Sequence, residues 1–300
     1  MAIDQKFIDQ FINVPSKAAL ASYHLVGKKD KVAADKAAVD KMRTELNKID
    51  MEGEIVIGEK LGTKNGPKLD IAVDPLEGTN FVAHNLPGAL SVISVAEKSN
   101  LLNAPETYMN KISANVSDPN VIDLDNSVKK NIYNLAEYKD KQPSDLTACI
   151  LDRPRHKEII NELKNLKVNL KLITDGDVSG ALLVTDQKYN VDIFLGIGGG
   201  PEGVLAASAL DAFDCFFQCR FLFDTIEDKT RAKKMGIIDL EKKYHLKEII
   251  TGDSIFCATG ITSGDLVSGI NIDNNDFTSE TLITHKSAGL KKIIKIKQKI

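Results

Sequence analysis

Apolar residues recur at helical spacing near the start of the chain. Phe7, Ile8, Phe11, Ile12 and Leu20 share one face, which predicts a helix over about 4–27 that stops at Gly27. Pro15 falls inside that pattern and predicts a kink, or a new first turn capped near Asn13. Ala38, Val39, Met42 and Leu46 define a second helical face over about 35–47. The pattern then changes to short apolar runs bounded by turn residues, predicting strands over 54–59, over a run ending at Asp74, and over 90–96. Residues 103–109 read as a loop or short helix, 118–125 as turns and 128–138 as a helix. The polar stretch 139–145, with Pro143 and Ser144, marks the expected boundary between two halves, 1–143 and 144–300.

Beyond that boundary strands and helices alternate. Strands are predicted over 147–151, 170–174 and 191–197, and helices over 154–166, from 178 onward and over 201–213. Right-handed βαβ crossovers and a mostly parallel sheet follow. The predicted fold class is α/β, with an α+β N-terminal half and a mostly parallel α/β C-terminal half. A charged helix over 226–235, an element over 240–246 and a strand over 254–259 come next. Near the end, Ile294, Lys295, Ile296 and Lys297 alternate with period two, the signature of an edge strand whose lysines deter pairing with other chains.

Composition narrows the function. The chain has 300 residues, 43% of them hydrophobic, and a formal net charge of -3. Its only basic concentration is 291–299, so a nucleic-acid surface is not expected. The N-terminus lacks the basic start and apolar core of a signal peptide and no apolar run reaches spanning length, so a cytoplasmic protein without a membrane segment is expected. Cys149, Cys215, Cys219 and Cys257 read as buried free thiols, and none of the five histidines stands at zinc-ligand spacing.

The most informative stretch is Asp70 to Asn80. An apolar run, Ile71 to Val73, delivers the chain to Asp74 and Glu77, followed by Gly78 and Thr79. A strand, an acidic turn and small polar residues suit a hard cation beside a phosphate. Pro75 biases Asp74 towards an extended conformation, Gly78 permits close backbone approach, and Thr79 offers a hydroxyl and an N–H. Glu59 ends the preceding strand, so pairing of the two strands would bring it to Asp74. Taken alone, Asp35 is an ordinary first-turn acid favoured by the helix dipole, and Lys31 a solvated charge. In the second half, three consecutive strand ends carry Arg153-Pro154-Arg155-His156, Asp175-Gly176-Asp177 and Gly198-Gly199-Gly200-Pro201-Glu202-Gly203. Arginines suit phosphate, and a glycine-rich turn into a helix offers free N–H groups to an anion. The glycine run matches neither the dinucleotide fingerprint nor a P-loop.

Together with Lys31, Ala34-Asp35, Ile57-Gly58-Glu59, Asn103-Ala104-Pro105, Tyr108-Met109 and Ala258-Thr259-Gly260-Ile261-Thr262, these motifs in this order resemble class II fructose-1,6-bisphosphatase over nearly the whole chain. The resemblance implies a layered αβαβα sandwich of the lithium-sensitive sugar phosphatase type. It also implies Mn²⁺ or Mg²⁺ held by Asp35, Glu59, Asp74, Glu77 and Glu202, with Asp74, Glu77 and Thr79 at the chemistry. Lys31, Gly78, Thr79, Tyr108, Arg153, Arg155, Asp175, Asp177 and Gly199 would line the site for a small-molecule sugar bisphosphate. A homodimer or homotetramer is implied as well. The activity implied is hydrolysis of the 1-phosphate of fructose 1,6-bisphosphate in gluconeogenesis, the alternatives being a related sugar-bisphosphate or inositol phosphatase or a catalytically impaired sugar-phosphate-binding protein. That last alternative comes from one departure: the family's acidic loop after Ile-Gly-Glu is absent, and Glu59 runs directly into Lys60-Leu61-Gly62.

Overall fold

The computed structural model describes residues 7–55 and 59–300. The strand expected over 54–59 therefore lies partly outside the described residues. By contact the chain divides into two compact units, one formed by 1–103 with 250–300 and the other by 104–249. The boundary expected at 143 falls inside the second unit.

The first unit begins with α1 (Phe7–Tyr23) and α2 (Lys31–Leu46). Pro15 does not break α1. It is buried within the helix, and the Ser16 hydroxyl beside it donates to the Ile12 carbonyl at 2.9 Å. The helix α2 starts earlier than its apolar face predicts, because the Asp30 carboxylate caps it by accepting from Ala33 N–H at 2.9 Å. Next come β1 (Glu52–Ile55), β2 (Lys60–Leu61), β3 (Lys68–Glu77), α3 (Thr79–His84) and β4 (Leu90–Glu97).

In the second unit 104–107 is loop, as the reading of 103–109 expects, and β5 (Tyr108–Ala114) takes only the last two positions of that range. The unit continues with α4 (Val128–Tyr138), β6 (Thr147–Leu151), α5 (Lys157–Asn165), β7 (Asn169–Ile173), α6 (Asp177–Leu182), β8 (Ile193–Gly199) and α7 (Gly200–Ala212). After these come β9 (Phe216–Leu222), α8 (Ile226–Lys234), β10 (Tyr244–His245) and α9 (Leu246–Ile249). Its six-stranded sheet has the order β10-β9-β5-β8-β6-β7. Only β6 with β7 and β6 with β8 run parallel, while β5 pairs antiparallel with both β8 and β9. The expected mostly parallel sheet is thus a mixed one. The βαβ signals at 147–199 were correctly placed, but β5 inserts between β8 and β9 from a point earlier in the chain. Ile112, Ala114, Ile132, Leu135, Ala148, Leu163, Ile193 and Phe216 form this unit's core.

The chain then returns to the first unit through β11 (Ser254–Gly260), β12 (Asn271–Asp273), β13 (Asp276–His285) and β14 (Leu290–Lys299). The eight-stranded sheet has the order β12-β13-β11-β4-β3-β1-β2, and β14 pairs with β13 alone. That makes β14 the expected lysine-bearing edge. Phe11, Ile12, Val14, Met42 and Leu46 of α1 and α2 pack on Ile71, Ile93, Val95, Ile255 and Ile283 of the sheet. All four cysteines are buried free thiols. No helix among the described residues is long and apolar enough to cross a membrane.

Candidate functional site

In the first unit the acidic turn is shaped by strand pairing. Between Asp74, opposite Val92, and Glu77, opposite Leu90, two residues of β3 face a single residue of β4. Side chains three apart on a regular strand point to opposite faces, but the extra residue resets the phase and puts both carboxylates on one face. Asp74 is half-buried and its Oδ1 accepts from Leu76 N–H at 3.2 Å, while Glu77 is buried. Gly78 follows with φ +86°, a left-handed conformation that glycine adopts at no steric cost, and caps α3 at Thr79. Beside that helix, Lys31 Nζ donates to Asn80 Oδ1 at 3.0 Å. Asp35 lies one turn beyond Lys31 on the same face of α2, exposed, with partial desolvation holding its carboxyl above the ordinary range.

Glu59 is placed differently from expectation. Its carboxylate accepts from Arg43 Nε at 2.7 Å and Nη2 at 3.2 Å, a two-pronged ion pair with α2. The cause is local. Strand β1 pairs with β3 on one side, Ile55 facing Ile71, and antiparallel with β2 on the other, so that Glu54 faces Lys60 and Ile55 N–H donates to the Glu59 carbonyl at 2.8 Å. Glu59 thereby immediately precedes β2, on the far side of β1 from the strand that carries Asp74. Among the described residues, no group of three or more acidic, histidine or cysteine side chains stands ready to hold a metal.

In the second unit, the carboxyl ends of β6, β7 and β8 and the start of antiparallel β5 meet along one edge, with Tyr108 opposite Gly199. Strand β8 pairs with β6 only at Ile193 and Phe194, which leaves the backbone of its last residues open on that side. The turn Arg153 to His156 occupies the opening. Ile197 N–H donates to His156 Nε2 at 2.7 Å, while Arg155 Nε and Nη2 donate to the Ile197 carbonyl at 3.1 and 2.8 Å. His156 Nδ1 lies 2.7 Å from the Leu151 carbonyl, so the ring is neutral with its proton on Nδ1. Burial, reinforced by the charges of Arg155 and Arg153, holds this imidazole below its usual range, against the opposing pull of the Leu151 bond and of Asp177.

With its backbone contact made, the Arg155 guanidinium lies 4.8 Å from the centre of the exposed Tyr108 ring. Arg153 stands 3.9 Å from Asp175. Asp177 opens α6 behind Gly176, and Gly199 caps α7. Glu202 sits in the first turn of α7, its carboxylate folded over Gly199. The second unit therefore brings together Tyr108, Arg153, Arg155, Asp175, Asp177, Gly199 and Glu202. Two further residues belong with this group and were not singled out from the sequence. His156 gave a signal, since it closes the arginine motif. Lys111, bonded to Asp177 and to the Gly199 carbonyl, gave none, because a lysine inside a strand reads as a solvent-facing position.

Residues 5–298 match the family model described as bacterial fructose-1,6-bisphosphatase, glpX-encoded. The chain is 35% identical over 312 aligned positions to a D-fructose 1,6-bisphosphatase class 2/sedoheptulose 1,7-bisphosphatase of Trichodesmium erythraeum, covering 91% of this chain and 90% of that one. A protein of the same description from Prochlorococcus marinus (strain MIT 9312) is 33% identical, covering 94% and 92%. The first alignment is longer than the 300 residues of this chain, so that relative carries insertions where this chain is shorter. Among solved structures, an inositol monophosphatase from Anabaena overlaps 59% of this chain and 71% of its own at 18% identity and a TM-score of 0.30.

Proposed function

This chain belongs to the bacterial, glpX-encoded fructose-1,6-bisphosphatases, and on that premise we propose how its residues divide the hydrolysis of fructose 1,6-bisphosphate to fructose 6-phosphate and phosphate. The first unit supplies Asp74 and Glu77. Asp74 and Glu77 offer oxygen ligands on one face, the donor chemistry of Mg²⁺ or Mn²⁺, which bind through one or two carboxylates together with substrate phosphate and water. When bound there, such a cation lowers the pKa of water and neutralises charge on the phosphoryl and leaving oxygens. The resemblance adds Asp35, Glu59 and Glu202 as ligands, Glu59 in exchange for its exposed ion pair with Arg43.

Thr79 orients the scissile phosphate with its hydroxyl and N–H, and Lys31 adds a positive charge beside it. Phosphate monoesters react so slowly unaided that positioning and charge stabilisation account for nearly all the catalysis. The second unit supplies recognition. Arg155 and Arg153 grip the other phosphate, Tyr108 and the backbone at Gly199 frame it, and Asp175 and Asp177 accept from sugar hydroxyls.

The phase reset between Asp74 and Glu77 is the observation that carries the metal reading. Its test is phosphate release from fructose 1,6-bisphosphate after chelation and readdition of Mn²⁺ or Mg²⁺. Release that stops with chelator and returns with cation is expected. Release indifferent to chelator would refute the metal assignment, and substrate binding without release at saturating cation would favour an impaired binding protein.

A further inference from the structure

Lys111 is 1% exposed, in the middle of β5. An ammonium removed from water costs several kcal/mol unless close partners restore what is lost. Its Nζ donates to the Asp177 carboxylate through Oδ2 and to the Gly199 carbonyl at 2.6 Å. These two acceptors come from different elements, for Asp177 opens α6 and Gly199 caps α7. Both are residues assigned above to the substrate, and β5 itself begins at a third, Tyr108.

The neighbours are fitted to this pair. A side chain at Gly198 would collide with the Asp177 carboxylate, and one at Gly203 would collide with Met109, two residues from Lys111, and touch the Lys111 stem in ordinary contact. Asp177 Oδ1 is buried and has no hydrogen-bond partner among the described residues. A carboxylate oxygen left so is costly, and such costs are retained chiefly where a site needs the group. The bond from Lys111 is what holds this carboxylate in place.

We propose that Lys111 is a positioning residue for sugar recognition: by bonding the Asp177 carboxylate and the Gly199 carbonyl together, it sets the spacing of the α6 and α7 starts and thereby the preference for a sugar phosphate over bare phosphate. The proposal rests on the reading of Asp177 and Gly199 as substrate contacts. It makes no claim that Lys111 touches the substrate.

Binding of fructose 6-phosphate and of inorganic phosphate to the Mn²⁺-loaded enzyme, measured by calorimetry, tests it. The wild type is compared with Lys111→Met, Asp177→Asn and the double variant. Loss of a charge-assisted bond in the recognition group is expected to lower the affinity ratio of fructose 6-phosphate to phosphate about tenfold or more in Lys111→Met. In the Asp177→Asn background the same lysine change is expected to do little further, because the two act as one unit. Equal weakening of both ligands would mean a merely structural role and overturn the proposal, as would a full lysine effect in the Asp177→Asn background. If Lys111→Met fails to fold, the comparison of Asp177→Asn with the double variant still decides, since the double variant carries no buried charge and the ammonium of Asp177→Asn keeps the Gly199 carbonyl. A wild type that binds phosphate but not fructose 6-phosphate would instead refute the substrate reading itself.

Discussion

Arg155 shows how a recognition residue is fixed before a ligand arrives. Two of its N–H groups hold the Ile197 carbonyl and its plane lies over Tyr108, which leaves its remaining donors and its charge for an anion. A charge-assisted bond is worth about 1.5–3 kcal/mol, so Arg155→Ala should raise KM for fructose 1,6-bisphosphate by roughly ten- to a hundredfold while kcat changes less. Steady-state kinetics check this, and an unaltered KM would remove Arg155 from the site. Asp74→Ala should behave in the opposite way. It should abolish phosphate release while shifting Tm little, because the side chain is half-buried beside the irregularity of β3 and not in the core. Substantial turnover by that variant would contradict its role. Both residues were legible in the sequence, since arginine and aspartate at strand ends are informative wherever the strand runs. The ion pair of Glu59 with Arg43 leaves no mark in the sequence, because the two residues meet only through the antiparallel pairing of β1 with β2. Lys111 was passed over because burial of a lysine is decided by tertiary partners that no local pattern shows.

At the level of elements, legibility followed the strength of the pattern. Helix α4 and strand β6 have the predicted bounds, for a capped amphipathic run and a five-residue apolar run leave no competing solution. Strand β5 escaped notice because Asn110 and Lys111 interrupt its apolar residues, and the sheet's direction was misjudged with it. The end of β8 depends on His156, whose side chain replaces a missing neighbouring strand. This imidazole is neutral when folded, with its pKa below the 6.5 of an ordinary histidine. The unfolded chain therefore takes up a proton first as pH falls. His156 contributes full stability above about 6.5, and that contribution is lost as pH drops from there through the folded value. Wild-type denaturation midpoints should accordingly fall across this window, with Arg153, Arg155 and Asp177 as the surrounding charges. His156→Gln should lack that component and be less stable at neutral pH by about 1–3 kcal/mol if Ile197 N–H is left unsatisfied. Parallel slopes for the two proteins would sink this account.

For the molecule as a whole, the sequence revealed the reaction class better than the division of the chain. Hydrophobic pattern has no means of showing that 250–300 returns to pair β11 with β4, or that β5 belongs with strands that follow it by dozens of residues. The buried thiols turn this division into a measurable property. Burial pushes the Cys219 thiol up to about 12 and raises Cys257 too, so neither forms a reactive thiolate at neutral pH while folded. Cys257 belongs to the first unit, and Cys149, Cys215 and Cys219 to the second. Under partial denaturation, a chromogenic disulfide reagent should therefore count which half has opened: one equivalent for the first, three for the second, four at once if the chain melts cooperatively. The native enzyme should remain almost inert to the same reagent, carrying its own stoichiometric clock for local melting without any introduced label.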